Sequence, residues 1–172
     1  MSIPSNIFLV GLMGAGKSTV GRQLAKALQK DFVDCDKALE ERTGASISLI
    51  FDIEGEAGFR QRERDMLFEL TERDDTVLAT GGGVILLEDN RARLRSRGLV
   101  VYLNAPIELL VERTSRDRGR PLLQDTDARG RLETLLEQRD PLYRQVADIT
   151  VKTDRRTARH VVRQITRQID PD

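Results

Sequence analysis

Short runs rich in apolar and β-branched residues recur along the chain, separated by longer stretches whose apolar positions return every third or fourth residue. The short runs, at residues 7–10, 32–34, 76–79, 99–103 and 149–152, read as strands. The longer stretches read as amphipathic helices. Residues 17–28 carry Val20, Leu24, Ala27 and Leu28 on one face, and residues 59–71 carry Leu67 and Leu70. A third helix starts near Pro106, a favoured first-turn residue, and the last bears Ala158, Val161, Val162, Ile165 and Ile169 as a core-contact stripe. Strands alternating with helices predict an α/β fold, a parallel sheet covered on both faces with ligands at the carboxyl ends of its strands. Two stretches, about 37–60 and about 114–126, fit this alternation poorly and read as a substrate-binding insertion and a mobile lid. No repeat or low-complexity segment breaks the pattern, and 172 residues suit a single domain, 1–172.

The first predicted strand runs directly into Gly11-Leu-Met-Gly14-Ala15-Gly16-Lys17-Ser18-Thr19, which matches G-x-x-x-x-G-K-[ST]. Glycines there let the backbone curl so that successive N–H groups point at a polyphosphate. Lys17 adds a point charge near the β- and γ-phosphates, and the Ser18 hydroxyl is placed to ligate Mg²⁺. The helix that follows aims its positive N-terminal end at the anion. This segment predicts binding of a nucleoside triphosphate.

Three further features bear on what receives the phosphate. Asp34-Cys35-Asp36 ends the second predicted strand, and a strand period of two would put both carboxylates on one face. Such a pair suits a metal's water shell and an acceptor hydroxyl, although Asp36 could instead cap the next helix. Cys35 reads as a small buried residue. Thr80-Gly81-Gly82-Gly83 follows the third strand, where glycines permit close approach of a ligand to the backbone. Finally, arginines stand where loops or helix starts are expected: Arg60 opening a helix, Arg113 to Arg120 in the predicted lid, and Arg139 in a turn after a helix. Guanidinium groups there would grip carboxylate or phosphate oxygens. The one histidine, His160, has no acidic or cysteine neighbour and reads as a surface residue.

Lys plus Arg and Asp plus Glu both number 28, a net charge of zero that argues against nucleic acid as a partner. No apolar run approaches a membrane span, and one cysteine cannot build a disulfide framework, so a soluble cytoplasmic protein is expected. The neutral balance leans toward a monomer.

Taken together, these segments occur in the order and spacing of bacterial shikimate kinases, and the resemblance covers nearly the whole chain. Its carriers are residues 11–19, Asp34-Cys35-Asp36, Gly58-Phe59-Arg60, Thr80 to Gly83, Arg120-Pro-Leu-Leu123 and Arg139-Asp-Pro-Leu-Tyr143. The resemblance implies ATP- and Mg²⁺-dependent phosphorylation of the 3-hydroxyl of shikimate, on the way to chorismate and the aromatic amino acids. It also implies a three-layer α-β-α fold with five parallel strands in the order 2-3-1-4-5. By that resemblance Gly14, Ala15, Gly16, Lys17, Ser18 and Thr19 hold the ATP phosphates, with Ser18 and Asp34 serving the metal. Asp36 is the base or orienting group, and it is catalytic together with Lys17 and Arg120. Arg60 and Arg139 grip the shikimate carboxylate beside Gly82 and Gly83, while Arg113 and the Arg155-Arg156 turn stand at the adenine with Arg120 over the phosphates. Two other readings stay open. A gluconate-type kinase would carry His-Pro shortly after the acidic pair, where this chain has Lys37-Ala38. A nucleotide-switch GTPase would use D-x-x-G and N-K-x-D, which Asp52 to Gly55 matches and Val151 to Asp154 nearly matches.

Overall fold

In the computed structural model, which describes residues 3–115 and 127–171, all five predicted runs are strands. They are β1 (Ile7–Val10), β2 (Asp31–Asp34), β3 (Thr76–Ala79), β4 (Leu99–Asn104) and β5 (Ile149–Lys152). The sheet order is β2-β3-β1-β4-β5 and every pairing is parallel, as the resemblance implies. β1 and β3 are buried along their whole length, which explains why only Thr76 among their residues is polar: strands covered on both faces have no polar side.

Seven helices surround the sheet among the described residues: α1 (Lys17–Leu28), α2 (Cys35–Thr43), α3 (Ile47–Leu70), α4 (Glu88–Arg97), α5 (Ile107–Thr114), α6 (Ala128–Val146) and α7 (Ala158–Ile169). α1 packs on β1, β2 and β3 and alongside α7, whereas α4 and α6 pack on β4 and on each other. Contact between α1 and β2 is close. A Cβ on Gly21 would lie 2.5 Å from a ring carbon of Phe32. The buried face of α1 is Val20, Gly21, Leu24 and Ala25, so the expected Ala27 is turned to solvent. α7 buries Val161, Val162, Ile165 and Ile169 as its stripe predicts. Pro106 precedes the first turn of α5 as its N-cap instead of occupying it.

Three expectations need correction. β2 ends at Asp34 and α2 begins at Cys35, so Asp34-Cys35-Asp36 is a strand-to-helix corner and strand alternation does not apply. Asp34, not Asp36, is the cap: its Oδ1 accepts from the N–H groups of Asp36 at 3.0 Å and Lys37 at 3.2 Å. Next, the stretch 37–60 stands outside the sheet as expected but is helical. α3 already starts at Ile47, capped by Ser46, and breaks its dihedrals only at Gly55 (φ 74°, ψ 179°). Gly58-Phe59-Arg60 therefore lies in the first turn after a kink, not at a helix start. Last, Arg139 is inside α6, with Pro141 carried within the helix. Leu132 and Arg139 before the proline, and Tyr143 and Val146 after it, are buried, and this anchoring on both sides outweighs the missing N–H. Arg120 and the expected lid at 114–126, apart from Thr114 and Ser115, lie outside the described residues.

Candidate active site

The register sets Leu9 of β1, Ala79 of β3 and Asp34 of β2 side by side, so the segments that follow these strands emerge at one edge of the sheet. Thr80 extends that alignment, its N–H and hydroxyl both donating to the Leu9 carbonyl at 3.1 and 2.8 Å. From this edge rise the phosphate-binding loop, the aspartate corner and the glycine run.

In the loop, Gly11, Gly14 and Gly16 take φ values of 150°, 85° and 96°, conformations that side chains resist. A Cβ on Gly11 would also stand 2.7 Å from the Leu103 carbonyl oxygen. Lys17 crosses the loop, and its Nζ donates to the carbonyls of Gly11 and, at 3.1 Å, Leu12. Ser18 Oγ donates to Asp34 Oδ2 at 2.6 Å. That bond commits the hydroxyl proton and leaves the oxygen lone pairs of Ser18 as ligands. Arg113 buttresses the loop from α5, donating to the Gly14 carbonyl at 3.0 Å.

Two cavities open on either side of this loop. One, of about 400 Å³, is lined by Asp36, Arg60, Glu63, Arg139 and the glycine run. The other, of about 450 Å³, is lined by the loop from Gly14 to Thr19 together with Arg113, Thr153, Asp154 and Arg156. Lys17 and Ser18 line both.

The three glycines face the first cavity, and none has a positive φ. At Gly81 and Gly83 a side chain lies where the Cβ would be, whereas Gly82 has room for one. At Gly81 a Cβ would stand 2.7 Å from Glu63 Oε2 and 2.9 Å from Asp36 Oδ1. At Gly82 it would approach the Met13 N–H and Arg139 Nη1, and at Gly83 it would fall 2.3 Å from both Nη atoms of Arg60. The run is a flat floor on which two carboxylates and two guanidinium groups lie.

Arg60 and Arg139 come from different helices and are both nearly buried, with side-chain exposure of 11% for Arg60 and residue exposure of 3% for Arg139. Arg60 pairs with Glu63 at 2.9 Å. The Nε atoms of both arginines are buried without a partner. Unsatisfied cationic donors are costly in such a place unless a ligand accepts from them. Burial pushes the Glu63 carboxyl above its ordinary range, opposed by the neighbouring Arg60 and Arg139 and reinforced by Asp36. The Cys35 thiol is also driven up, first by burial and then by Asp36, Glu63 and Asp34, so it is inert packing as expected.

The sequence-predicted residues Lys17, Ser18, Asp34, Asp36, Arg60, Gly82, Gly83 and Arg139 thus converge on the first cavity, and Gly14 to Thr19, Arg113 and Arg156 on the second. Arg155 turns away to pair with Glu112 at 2.6 Å. Half-buried His160 sets its Nε2 2.9 Å from Arg156 Nη1. Sequence reasoning missed Glu63 and gave no role to Tyr143 or Thr153. Glu63 had a signal, since it takes a position on the stripe Phe59, Met66, Leu67 and Leu70, where a charge is out of place. Tyr143 is buried one turn beyond Arg139 and donates to the Gly82 carbonyl. Thr153, whose Oγ1 is buried and unpartnered, lies in the segment that nearly matched a guanine-reading motif. Asp52 to Gly55 lies within α3 and follows no strand, so it does not stand where a switch loop would.

Comparison with known proteins agrees with this geometry. A family profile described as shikimate kinase matches residues 13–170. A shikimate kinase of Halorhodospira halophila is 57% identical over 162 residues, spanning 94% of this chain and 92% of that one. The Vibrio cholerae shikimate kinase is 53% identical over 99% of this chain and 98% of its own. Among solved structures, the shikimate kinase from Acinetobacter baumannii in complex with shikimate superposes with a TM-score of 0.95 at 52% identity, covering 96% of this chain and 92% of that chain. With a phosphate-binding loop at the junction of two cavities and relatives matched over nearly its full length, the chain belongs to the shikimate kinase family.

Proposed function

We propose that this protein transfers the γ-phosphoryl group of ATP to the 3-hydroxyl of shikimate, releasing shikimate 3-phosphate and ADP. The observation that carries this reading is that Lys17 and Ser18 line both cavities. A donor held in one cavity and an acceptor in the other would meet at those two side chains. The second cavity takes ATP, its phosphates on the backbone of Gly14 to Thr19 and its base toward Arg113, Thr153 and Arg156. Lys17 exchanges its loop carbonyls for β- and γ-phosphate oxygens. The first cavity takes an anionic polyol: Arg60 and Arg139 donate to its carboxylate and Asp36 accepts from its hydroxyl.

In the transfer, the acceptor oxygen bonds to the γ-phosphorus as the bridging bond to the β-phosphate breaks, and ADP leaves with that electron pair. The acceptor proton passes to Asp36. Because phosphoryl transfer proceeds through a loose transition state, orienting the hydroxyl is the larger part of the Asp36 role. Ser18 and Asp34 fit Mg²⁺, being a hydroxyl with committed proton and a carboxylate, both hard oxygen groups. When bound, the ion would neutralise charge on the β- and γ-phosphates. The same reading has one kinase domain working as a monomer in the cytoplasm, with Arg120 placed over the phosphates by resemblance alone. Among the described residues no helix is long and apolar enough to cross a membrane.

A coupled ADP-release assay with shikimate, gluconate and nucleoside monophosphates as competing acceptors tests the reading. Shikimate should be favoured in kcat/KM by at least about a hundredfold, the margin expected when buried polar groups are matched by one acceptor only. Preference for another acceptor, or slow GTP hydrolysis with none, would replace it.

A further inference from the structure

Tyr143 is fully buried in α6, and its hydroxyl donates to the carbonyl of Gly82. The Arg139 guanidinium, one helical turn back, lies close enough to oppose the effect of burial on this phenol, and its Nη1 stands 3.6 Å from where a Cβ on Gly82 would be. The hydroxyl thus ties α6, the helix that carries the arginine, to the floor after β3, two borders of the first cavity that come from different elements. Both borders need the link. Arg139 belongs to a helix that carries Pro141, so one backbone bond beside it is missing. Gly82 has no side chain with which to anchor its own peptide. The Tyr143 ring is held in turn: it packs on Tyr102 with centroids 4.9 Å apart and planes at 31°. The Tyr102 hydroxyl leads elsewhere, to Asp140 Oδ1 at 2.7 Å, and Arg144 fixes the other oxygen of Asp140 at 2.9 Å. Burial drives the Tyr143 phenol to a higher pKa, so it keeps its proton and stays the donor to Gly82.

We propose that Tyr143 is a positioning residue for the acceptor. Its hydroxyl sets the spacing between the Arg139 guanidinium and the Gly82 peptide, and with it the seat of the acceptor carboxylate. This rests on assigning the first cavity to an anionic acceptor, as above. Tyr143 touches neither reacting group. Its effect is therefore on acceptor affinity through Arg139, not on the chemical step.

The test is steady-state kinetics on Tyr143→Phe, Tyr102→Phe, Arg139→Ala and the double variant Tyr143→Phe with Arg139→Ala. Tyr143→Phe should raise the shikimate KM about three- to tenfold, the scale of a lost neutral hydrogen bond, with kcat within about threefold and the ATP KM unchanged. Tyr102→Phe removes a comparable hydroxyl from the same ring pair. It should match any loss of thermal stability while leaving the shikimate KM alone. In the Arg139→Ala background, Tyr143→Phe should add less than about twofold, because two residues acting through one contact are not additive. Equal KM changes in the two phenylalanine variants, no change in Tyr143→Phe, or fully multiplicative effects in the double variant would overturn the proposal. Should the wild-type enzyme prefer another anionic polyol, the identity of the acceptor falls and the same comparison on that polyol decides the role of Tyr143.

Discussion

Asp34 and Asp36 stand two residues apart and are held for different work. Asp34 is spent on the Ser18 hydroxyl and two backbone N–H groups, whereas Asp36 reaches the glycine floor beside Glu63. Asp36→Asn keeps the shape and loses the charge and the proton acceptor. It should fold and bind ATP normally and lose turnover by about a hundredfold or more, the scale of a lost general base. Asp34→Asn still caps α2 but holds Ser18 less well, and should show a raised Mg²⁺ requirement with near-normal turnover at saturation. Kinetics over a Mg²⁺ titration separates the two, and a shared Mg²⁺ defect would merge the roles. Glu63 adds a pH effect. Its carboxyl is raised above the ordinary 4.5 in the fold, so its contribution to stability is present below that value and is lost as pH rises through the raised one. The melting temperature of the wild type relative to Glu63→Gln should therefore fall as pH rises above 4.5, and a difference that grew with pH would contradict the burial argument. Most of these side chains were legible in the sequence because glycines, paired acids and isolated arginines are costly without a task. Glu63 and Tyr143 were not, because a helical stripe conceals one misplaced charge and any buried tyrosine resembles core.

Elements were easier to find than to delimit. The strands and the phosphate-binding loop followed from apolar runs and a fixed motif, but the corner after β2 was misread because Asp-Cys-Asp fits a strand as well as a cap. Pro141 suggested a turn, and tertiary anchoring on either side of it kept α6 continuous. The glycine run was recognised for close approach of a ligand, yet what approaches it in the structure is side chain, Glu63 and Asp36 at Gly81 and Arg60 at Gly83. That distinction is testable. Gly83 has φ −94° and ψ 4°, which alanine tolerates, so a substitution there acts by volume alone. Gly83→Ala should displace the Arg60 guanidinium and raise the shikimate KM about tenfold or more with ATP affinity unchanged, a loss of about 1.4 kcal/mol or more. Gly82→Ala, whose Cβ would meet nothing nearer than 3.4 Å, should be milder. The opposite ranking in a calorimetric titration with shikimate would mean that the floor serves the ligand directly and not Arg60.

For the molecule as a whole, strand alternation implied the α/β class, and the order β2-β3-β1-β4-β5 came from the resemblance and is the order observed. Periodicity alone could not have supplied that order, because it depends on which crossovers skip a strand. Nor could it have shown two cavities with a common wall, which needs the register of three strands at one sheet edge. That common wall is what the functional reading depends on. A crystal structure with a non-hydrolysable ATP analogue and shikimate bound together tests it. The nucleotide phosphates should lie on Gly14 to Thr19 in one cavity, and the shikimate carboxylate between Arg60 and Arg139 in the other. The 3-hydroxyl should face both Asp36 and the terminal phosphate across Lys17. Shikimate bound in the nucleotide cavity, or with its carboxylate away from both arginines, would contradict the reading.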